Sequence, residues 1–261
     1  MKQIHKYPRT HHIQGSRLQP GDEDLNDIPF AQIKQRYVVV EEKVDGANAA
    51  ISFNNDGQIQ LQSRGHYLTG GSEKHFNLFK QWANTHAASF WGVLGNRYIL
   101  YGEWLYAKHT VFYDALPHYF LEFDVLDLKK QEFLSTAKRK QLLTGLPLVS
   151  VPVLFAGEIQ SYKQLTSYLG KSHYQTAEHL QRFQQICSDK GLDIKRSLQQ
   201  TDQSSVIEGL YIKIESEDTV LERYKYVRSS FLTTIQQSDG HWLNRPIIPN
   251  QLHDGVDLFG S

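Results

Sequence analysis

The sequence contains a single cysteine, Cys187, which excludes a disulfide framework and any zinc site built from several cysteines. It lacks an apolar run near the roughly 18 residues that a membrane-spanning helix needs, and its first ten residues lack the apolar core of a secretory signal. Lysine and arginine number 28, as do aspartate and glutamate, so no charge excess predicts a polycationic nucleic-acid coat. These absences together predict a soluble cytoplasmic protein.

The 261 residues are 40 % hydrophobic and 12 % aromatic, which is enough for one large domain, alone or with a small annex. The opening segment is rich in turn formers and predicts irregular structure with one short helical turn. Helical spacing of apolar residues predicts helices from Glu73 to about Ala88, after Ser135 as N-cap, and in the stretch that ends near Leu192. Strands are predicted where β-branched and aromatic residues are dense, at YVVVEEK, ANAAISF, QIQLQS, RYILYGEWLY, HYFLEFDVLDL, VSVPVLFAG, EGLYIKIE and RYKYVR. The pattern predicts an α+β chain with antiparallel sheets and helices packed outside them.

Lys43 stands in the segment VVVEEKVDGANAAISF, which otherwise predicts buried strand. A lysine has an ordinary pKa of about 10.4, so it must be desolvated or placed near positive charge before its nitrogen can attack. Strand alternation places Glu42 and Lys43 on opposite faces, which separates the nitrogen from one adjacent carboxylate. Taken alone, the segment favours an ordinary surface lysine beside a turn over a reactive one.

A series of further short motifs follows this lysine along the chain. They are SRG at 63–65, YGEW at 101–104, YFLEFDV at 119–125, EGLYIK at 208–213 and RYKYVR at 223–228. Together with KVDGAN, this order resembles the motifs of the covalent nucleotidyltransferases, which include DNA ligases, RNA ligases and mRNA capping enzymes. Within that superfamily the chain most resembles the RNA ligases similar to phage T4 RNA ligase 2, over about residues 6–228. The resemblance implies the nucleotidyltransferase fold, with an ATP site between antiparallel sheets.

The resemblance also implies a reaction and its cofactors. A lysine attacks the α-phosphate of ATP, forms lysyl–AMP and releases pyrophosphate, with Mg²⁺ or Mn²⁺ as the metal. The AMP then passes to the 5′-phosphate of an RNA end, and a neighbouring 3′-hydroxyl displaces it to form a phosphodiester. Because every step builds charge on phosphate oxygens, the site is expected to supply cations. Partners implied are RNA ends in a nicked duplex or broken loop, together with an end-healing kinase or phosphatase.

The matching positions assign three catalytic residues. Lys43 corresponds to the nucleophile, and Lys225 to a lysine that contacts the AMP phosphate and lowers the nucleophile's pKa. Glu208 corresponds to the carboxylate that organises the metal, through water that Mg²⁺ retains. These are roles that the resemblance implies for residues of this sequence.

The remaining matches are implied contacts to ATP. Glu42 corresponds to a reader of the adenine edge, Glu103 to the residue that binds the ribose hydroxyls, and Phe120 to the aromatic stacked on adenine. Asn48 and Lys213 correspond to phosphate contacts. Arg64 corresponds to an arginine that touches the nucleotide and the RNA end.

Two features depart from the family pattern. The last motif usually has two lysines separated by one residue, but here Arg223 stands at the first position, and Arg228 is the alternative partner of Lys225. Only residues 229–261 follow Arg228, too few for an oligonucleotide-binding barrel. We therefore expect a nucleotidyltransferase domain over 1–230 and a short annex over 231–261. A minimal ATP-dependent DNA ligase and a non-catalytic module that binds nucleic-acid ends remain alternatives.

Overall fold

The computed structural model describes residues 4–17, 27–71, 73–231, 234 and 246–260. Within these residues the structure has twelve β-strands, six short α-helices and two 3-10 turns. The helices are α1 Asn77–Thr85, α2 Ala87–Leu94, α3 Thr136–Leu143, α4 Tyr162–Ser167, α5 His179–Asp189 and α6 Ile194–Gln199, with 3-10 turns at Phe30–Gln32 and Lys74–Phe76. The strands are β1 His11–Ile13, β2 Asp27–Ile28, β3 Tyr37–Lys43, β4 Ala47–Phe53, β5 Ile59–Ser63, β6 Tyr98–Trp104, β7 Phe120–Asp127, β8 Glu132–Phe133, β9 Val149–Ser150, β10 Val153–Glu158, β11 Gly209–Glu215 and β12 Val220–Val227.

The strands form two six-stranded sheets. The first, sheet A, has the order β10-β3-β11-β12-β1-β2, and the second, sheet B, has the path β5-β4-β6-β7-β8 with β9 beside β7. Most neighbouring pairs are antiparallel, which confirms the predicted α+β architecture with antiparallel sheets. The strands β3 and β4 do not pair with each other, because the Val44–Gly46 connection carries the chain from sheet A to sheet B.

Each sheet buries its own apolar layer on the face turned away from the other sheet. On sheet B, α1 supplies Phe79 and Trp82 to a cluster that also contains Trp104 and Phe90 of α2. On sheet A, Val38 and Val40 of β3 pack with Ile212 of β11 and Leu165 of α4. Burial of these β-branched and aromatic side chains explains why the densest apolar segments of the sequence became central strands.

The face that each sheet turns inward carries a cluster of buried charges. Glu41, Lys213 and Arg223 come from sheet A, Glu122 and Asp124 come from β7, and Arg139 comes from α3. Lys213 Nζ lies 2.8 Å from Glu41 and 3.0 Å from Asp124, and Arg139 lies 2.9 Å from Glu41 and 3.2 Å from Glu122. We call these six residues the inter-sheet charge cluster. Three positive and three negative side chains join the two sheets without a net charge.

The helix predicted after Ser135 is confirmed, and the Ser135 hydroxyl accepts a hydrogen bond from the Lys138 backbone N–H, as an N-cap does. The opening segment differs from its prediction, because His11–Ile13 form β1 and pair in parallel with β12. A 3-10 turn, Phe30–Gln32, begins at the last residue of that segment, and residues 18–26 of the segment lie outside the described residues. The helical region also extends beyond Leu192, since α6 follows it. No helix among the described residues is long and apolar enough to cross a bilayer.

Candidate active site

Lys43 ends β3, where the chain leaves sheet A for sheet B, and we call the space between the sheets beside Lys43, Glu103 and Glu208 the cleft. The Nζ of Lys43 donates a 2.6 Å hydrogen bond to Oε1 of Glu208, and its side chain is 25 % exposed, whereas that of Glu208 is 2 % exposed. The register explains the meeting, because Lys43 is the Cα partner of Gly209, the residue after Glu208. Two motifs separated by 165 positions in the sequence are therefore brought together by a single strand pair.

The electrostatics around Lys43 differ from the expected cationic setting. Burial lowers the pKa of Lys43, but the charges of Glu208, Glu103 and Asp45 outweigh it and leave this pKa above its ordinary value. Burial also raises the pKa of Glu208 to about 7 and that of Glu103 to about 8, although the charge of Lys43 opposes both shifts. Lys43 is thus held protonated by carboxylates in the protein alone, and the expectation that neighbouring cations lower its pKa is not met.

Lys225, Asn48 and Arg64 line the same region from neighbouring strands. Lys225 is partly buried on β12, and its positive charge lowers the pKa of Glu208 against the larger effect of burial. Asn48 of β4 is the Cα partner of Glu103, and its Oδ1 is buried without a hydrogen-bond donor among the described residues. Arg64 is exposed just after β5, adjacent in register to Asn48. Asn48 and Arg64 therefore border the cleft from sheet B.

Glu42 faces away from Lys43, as the strand alternation predicted. Its carboxylate is 2 % exposed and accepts hydrogen bonds from the Ser172 hydroxyl at 2.6 Å and from His173, whose Nδ1 lies at 2.7 Å. The carboxylate is engaged by the loop that precedes α5 and does not enter the cleft. Its predicted role as a reader of the adenine edge gains no support from this placement.

Lys213 lies in the inter-sheet charge cluster, with no exposed side-chain surface. It contacts Glu41, Asp124 and the Phe123 carbonyl, so the structure assigns it to holding the sheets together and does not support a phosphate contact. Arg223 lies in the same cluster, 3.4 Å from Asp124.

Arg228 is also engaged away from the cleft. Its guanidinium donates to the Ile207 carbonyl at 2.7 Å and to the Asp202 carboxylate. Neither Arg223 nor Arg228 is therefore presented to the cleft beside Lys225 in the way that a second motif lysine would be.

Of the two phenylalanines in the FLEFD segment, Phe123 faces the cleft and Phe120 does not. Phe120 is fully buried on the helix side of sheet B, with its ring centroid 5.4 Å from those of Trp82 and Phe79. Phe123 is partly exposed between the sheets, and its ring centroid lies 5.1 Å from that of Tyr7. An irregularity in the β6–β7 register interrupts the two-residue alternation. The segment FLEFD contains both phenylalanines, and this irregularity decides which one faces the other sheet.

Asp45 is a site residue to which sequence reasoning gave no role beyond its motif. Its Oδ2 accepts hydrogen bonds from the backbone N–H groups of Thr110 at 2.6 Å and Val111 at 2.8 Å, and its own N–H donates to the Tyr113 hydroxyl at 2.8 Å. These bonds fix the turn that follows Lys43. The signal in the sequence is the position of Asp45 within the KVDGAN motif, whereas its partners in residues 110–113 belong to no motif.

The acidic side chains near Lys43 are the candidate ligands for a divalent cation, since Mg²⁺ and Mn²⁺ prefer oxygen donors. Among the residues that the structure describes, no group of three histidine, cysteine, aspartate or glutamate side chains converges as a metal site. Glu208 and Glu103 nevertheless carry pKa values raised by burial, so additional positive charge beside them is favourable. This arrangement fits a Mg²⁺ or Mn²⁺ ion that retains water and is bound mainly by phosphate oxygens, because Mg²⁺ uses few protein carboxylates.

Comparison with known proteins identifies the family of this sequence. The RNA ligase family matches residues 36–227, which contain every motif from KVDGAN to RYKYV. No curated protein sequence matched. The matched region begins just before β3 and ends with β12, so it includes all of sheet B and four of the six strands of sheet A.

Solved structures with the same fold include variants of an RNA ligase from Naegleria gruberi. One bound to ATP and Mn has 17 % identity and a TM-score of 0.54, and covers 90 % of this chain and 59 % of its own. One bound to AMP and Mn has 17 % identity and a TM-score of 0.55, with the same coverage. The same ligase with pyrophosphate has 17 % identity and a TM-score of 0.53, and covers 89 % of this chain and 58 % of its own. The chain thus spans about three fifths of the length of these proteins, and the likeness establishes the fold.

Proposed function

We propose that this chain, which belongs to the RNA ligase family, is an ATP-dependent RNA ligase that joins 3′-hydroxyl and 5′-phosphate RNA ends through lysyl–AMP. The observation that carries the proposal is Lys43 at the cleft mouth, in contact with Glu208 and within the field of Glu103 and Asp45. A lysine in an ordinary surface ion pair would not be surrounded by three acids at the junction of two sheets. The Naegleria gruberi relatives bind ATP, AMP and Mn, which supports the choice of nucleotide and metal.

In this proposal Lys43 is the nucleophile and Glu208 controls its proton. The 2.6 Å contact stabilises the ammonium form, so attack requires that positive charge near Glu208 weaken this pair and let the proton leave. Lys225, whose charge already acts on Glu208, is placed to contribute on the AMP phosphate side. The Nζ–phosphorus bond then forms as the bond from phosphorus to the pyrophosphate oxygen breaks.

The metal would be held by Glu208, through water, together with the phosphates of ATP. When bound, a divalent cation supplies positive charge to the phosphate oxygens as pyrophosphate leaves. Asn48, through its side-chain Nδ2, and Arg64 are proposed to contact phosphate, because both groups donate hydrogen bonds. Glu103 is proposed to accept hydrogen bonds from the ribose hydroxyls, which suits a carboxylate with two acceptor oxygens.

The adenine is proposed to stack on Phe123 rather than Phe120. Phe123 faces the cleft beside Tyr7 and Tyr211, whereas Phe120 is enclosed by core aromatics. Glu42, Lys213 and Phe120 keep their sequence-predicted contacts only as predictions, and the geometry favours structural roles for all three.

Three finer assignments belong to the same proposal. The substrates are RNA ends of a nicked duplex or broken loop, and the domain comprises residues 1–230 with a short annex over 231–261. Membership of the RNA ligase family supports RNA over DNA as the substrate. An end-healing kinase or phosphatase is the proposed partner class, because ligation needs a 5′-phosphate and a 3′-hydroxyl.

The proposal is tested by incubating the purified protein with α-³²P-labelled ATP and Mg²⁺ or Mn²⁺, followed by denaturing electrophoresis. We expect a covalent, metal-dependent label on the protein that acid removes and alkali does not, as a phosphoramide requires. Lys43→Ala is expected to abolish the label, because no other nitrogen occupies the nucleophile's position.

Lys80→Ala is the matched control, since Lys80 is also a part-buried lysine in an ion pair, 3.3 Å from Glu73, but lies outside the cleft. It is expected to keep the label. A folded wild-type protein that takes no label would refute the enzymatic function, and label retained by Lys43→Ala would refute the choice of nucleophile. Preferential sealing of all-DNA nicks over nicks with a ribonucleotide 3′-end would favour the DNA ligase alternative.

A further inference from the structure

The residues near the C-terminus form a strap across the connection between β6 and β7. This C-terminal strap, residues 246–253, forms isolated bridges at Pro249 with Ala107 and at Leu252 with Leu116. Ile248 enters an apolar cluster with Phe112 of the connection and Phe183 of α5. The strap therefore belongs to the packed body of the protein, beside the loop that carries the partners of Asp45.

Asn250 is the centre of this contact and is 1 % exposed. Its side-chain Nδ2 donates to the Leu105 carbonyl at 2.7 Å, and its Oδ1 accepts from the Tyr113 N–H at 2.9 Å. Its backbone N–H donates to the Tyr106 carbonyl at 2.8 Å, and its carbonyl accepts from the Tyr119 hydroxyl at 2.9 Å. When every polar group of a buried asparagine is hydrogen-bonded, its position is strongly fixed, because the loss of one bond leaves a polar group unpaired in the interior.

Asn250 joins the two ends of the Leu105–Tyr113 loop, and this loop binds the turn that follows Lys43. The amide bonds residues 105 and 113, the two ends of a loop whose Thr110 and Val111 N–H groups bind the Asp45 carboxylate. Tyr113, at the far end of that loop, also accepts the Asp45 N–H through its hydroxyl. A continuous series of short contacts thus runs from Asn250 to the residue two positions after Lys43.

A second contact joins the same loop to the turn. A Cβ placed on Gly46 would lie 2.6 Å from the Leu105 side chain and 3.0 Å from that of Glu103. Leu105 therefore packs directly against the turn, and its carbonyl is the acceptor of the Asn250 amide. The strap acts on the turn from both ends of the loop.

We propose that Asn250 is a positioning residue for lysyl–AMP formation, acting through the Leu105–Tyr113 loop on the Asp45–Gly46 turn and so on the direction of the Lys43 side chain. This inference rests on the proposed ligase function. A displacement of about 1 Å at the reacting atoms is enough to cost roughly a hundredfold in rate. The described hydrogen bonds of the strap reach residues 105–119, so we expect its effect in the rate of the chemical step and not in ATP affinity.

The test is single-turnover labelling of the full chain with α-³²P-ATP and Mg²⁺, over a range of ATP concentrations. For Asn250→Ala we expect the rate constant at saturating ATP to fall about 10- to 100-fold, with the half-saturating ATP concentration changed less than about twofold. The final labelled fraction measures how much protein is folded, and the rate constant is measured on that fraction alone. A merely structural role would lower the labelled fraction and leave the rate constant unchanged, which would overturn the inference.

Two further variants make the outcome decisive. Gln251→Ala, the neighbouring strap residue whose described contacts are made by its backbone, is expected to label at the wild-type rate. Tyr113→Phe removes only the hydroxyl that accepts the Asp45 N–H and keeps the packed ring, so it is expected to slow labelling even if Asn250→Ala does not fold. The double variant is expected to be slower than the worse single variant by less than the product of the two effects, because both act on one turn.

Multiplying effects in the double variant, or a wild-type rate in Tyr113→Phe, would overturn the inference. A wild-type protein that takes no label at all would instead refute the ligase function, and the inference would fall with it. Labelled wild type with an equal rate constant in Asn250→Ala refutes the inference alone.

Discussion

At the scale of single residues, Lys43 is an ion-pair partner in the structure, and its proposed role as a nucleophile requires that this pair be weakened. Glu208 stabilises its ammonium form, and the two carboxylates Glu103 and Glu208 hold raised pKa values because burial disfavours their negative charge. Bringing positive charge to these acids offsets that cost and weakens their hold on the lysine proton at the same time. In the proposed reaction, a metal ion held at Glu208 would therefore also favour loss of the lysine proton.

Phe123 and Phe120 give a prediction at this scale. Phe123→Ala is expected to raise the half-saturating ATP concentration for labelling by about 5- to 150-fold, which corresponds to the roughly 1–3 kcal/mol of a base–aromatic stack. Phe120→Leu is the control in the same strand. It is expected to lower the free energy of unfolding by about 1 kcal/mol, because it alters a core ring, and to leave the ATP dependence unchanged. A larger effect on ATP from Phe120→Leu than from Phe123→Ala would restore the sequence-based assignment.

At the scale of elements, the close approach of β11 and β12 brings the motifs EGLYIK and RYKYVR together. A Cβ on Gly209 would lie 1.9 Å from the Tyr226 carbonyl oxygen, so the two strands approach closely only because residue 209 has no side chain. The same residue is the Cα partner of Lys43 on β3. One glycine therefore sets the separation of Lys43, Glu208 and Lys225.

Gly209→Ala is expected to lower the free energy of unfolding by about 2–3 kcal/mol, because backbone must move to admit the methyl group. It is also expected to slow labelling in the molecules that remain folded, since Glu208 directly precedes β11. Gly92→Ala is the matched control in α2, where a Cβ meets no atom within 4 Å, and it is expected to stabilise by about 0.5–1 kcal/mol. Urea denaturation and labelling rates check both, and equal stabilities would contradict the strand-contact explanation.

The individual strands and helices could be predicted from the sequence better than the pairing and packing between them. The strands at β3, β6, β7, β11 and β12 and the Ser135-capped helix follow from local composition and capping, and the structure confirms them. The parallel pairing of β1 with β12 and the crossing from β3 to β4 depend on contacts distant in sequence, which no local pattern contains. The choice of Phe123 depends on a strand irregularity, and the link from Asn250 to Asp45 depends on residues without a motif.

At the scale of the whole molecule, the two sheets face each other across charge as well as apolar surface. The inter-sheet charge cluster buries Arg139, Lys213, Glu41 and Asp124 completely, so each charge depends on the others for its solvation. Burial raises the pKa of Asp124, but the charges of Lys213, Arg223 and Arg139 hold that pKa below its ordinary value. The cluster fixes the spacing of the sheets and hence the width of the cleft.

Arg139→Met is expected to lower the free energy of unfolding by about 3–5 kcal/mol, because it leaves Glu122 buried without the cation that contacts it and Glu41 with Lys213 alone. Lys138→Met, one residue earlier, removes a solvent-exposed pair with Asp218 at 3.3 Å and is expected to change stability by less than about 0.5 kcal/mol. Chemical denaturation of both variants at neutral pH provides the measurement. Comparable losses in the two would mean that the buried charges do not hold the sheets.

The crossing of the chain between sheets has a mechanical consequence. Since β3 belongs to one sheet and β4 to the other, the three-residue connection after Lys43 is a covalent hinge between the two walls of the cleft. The Val151–Pro152 connection between β9 and β10 is a second crossing, so a change in the angle between the walls would be shared between these two short connections. In the proposed reaction, a change in the angle between the walls would therefore also change the direction in which the lysine nitrogen points.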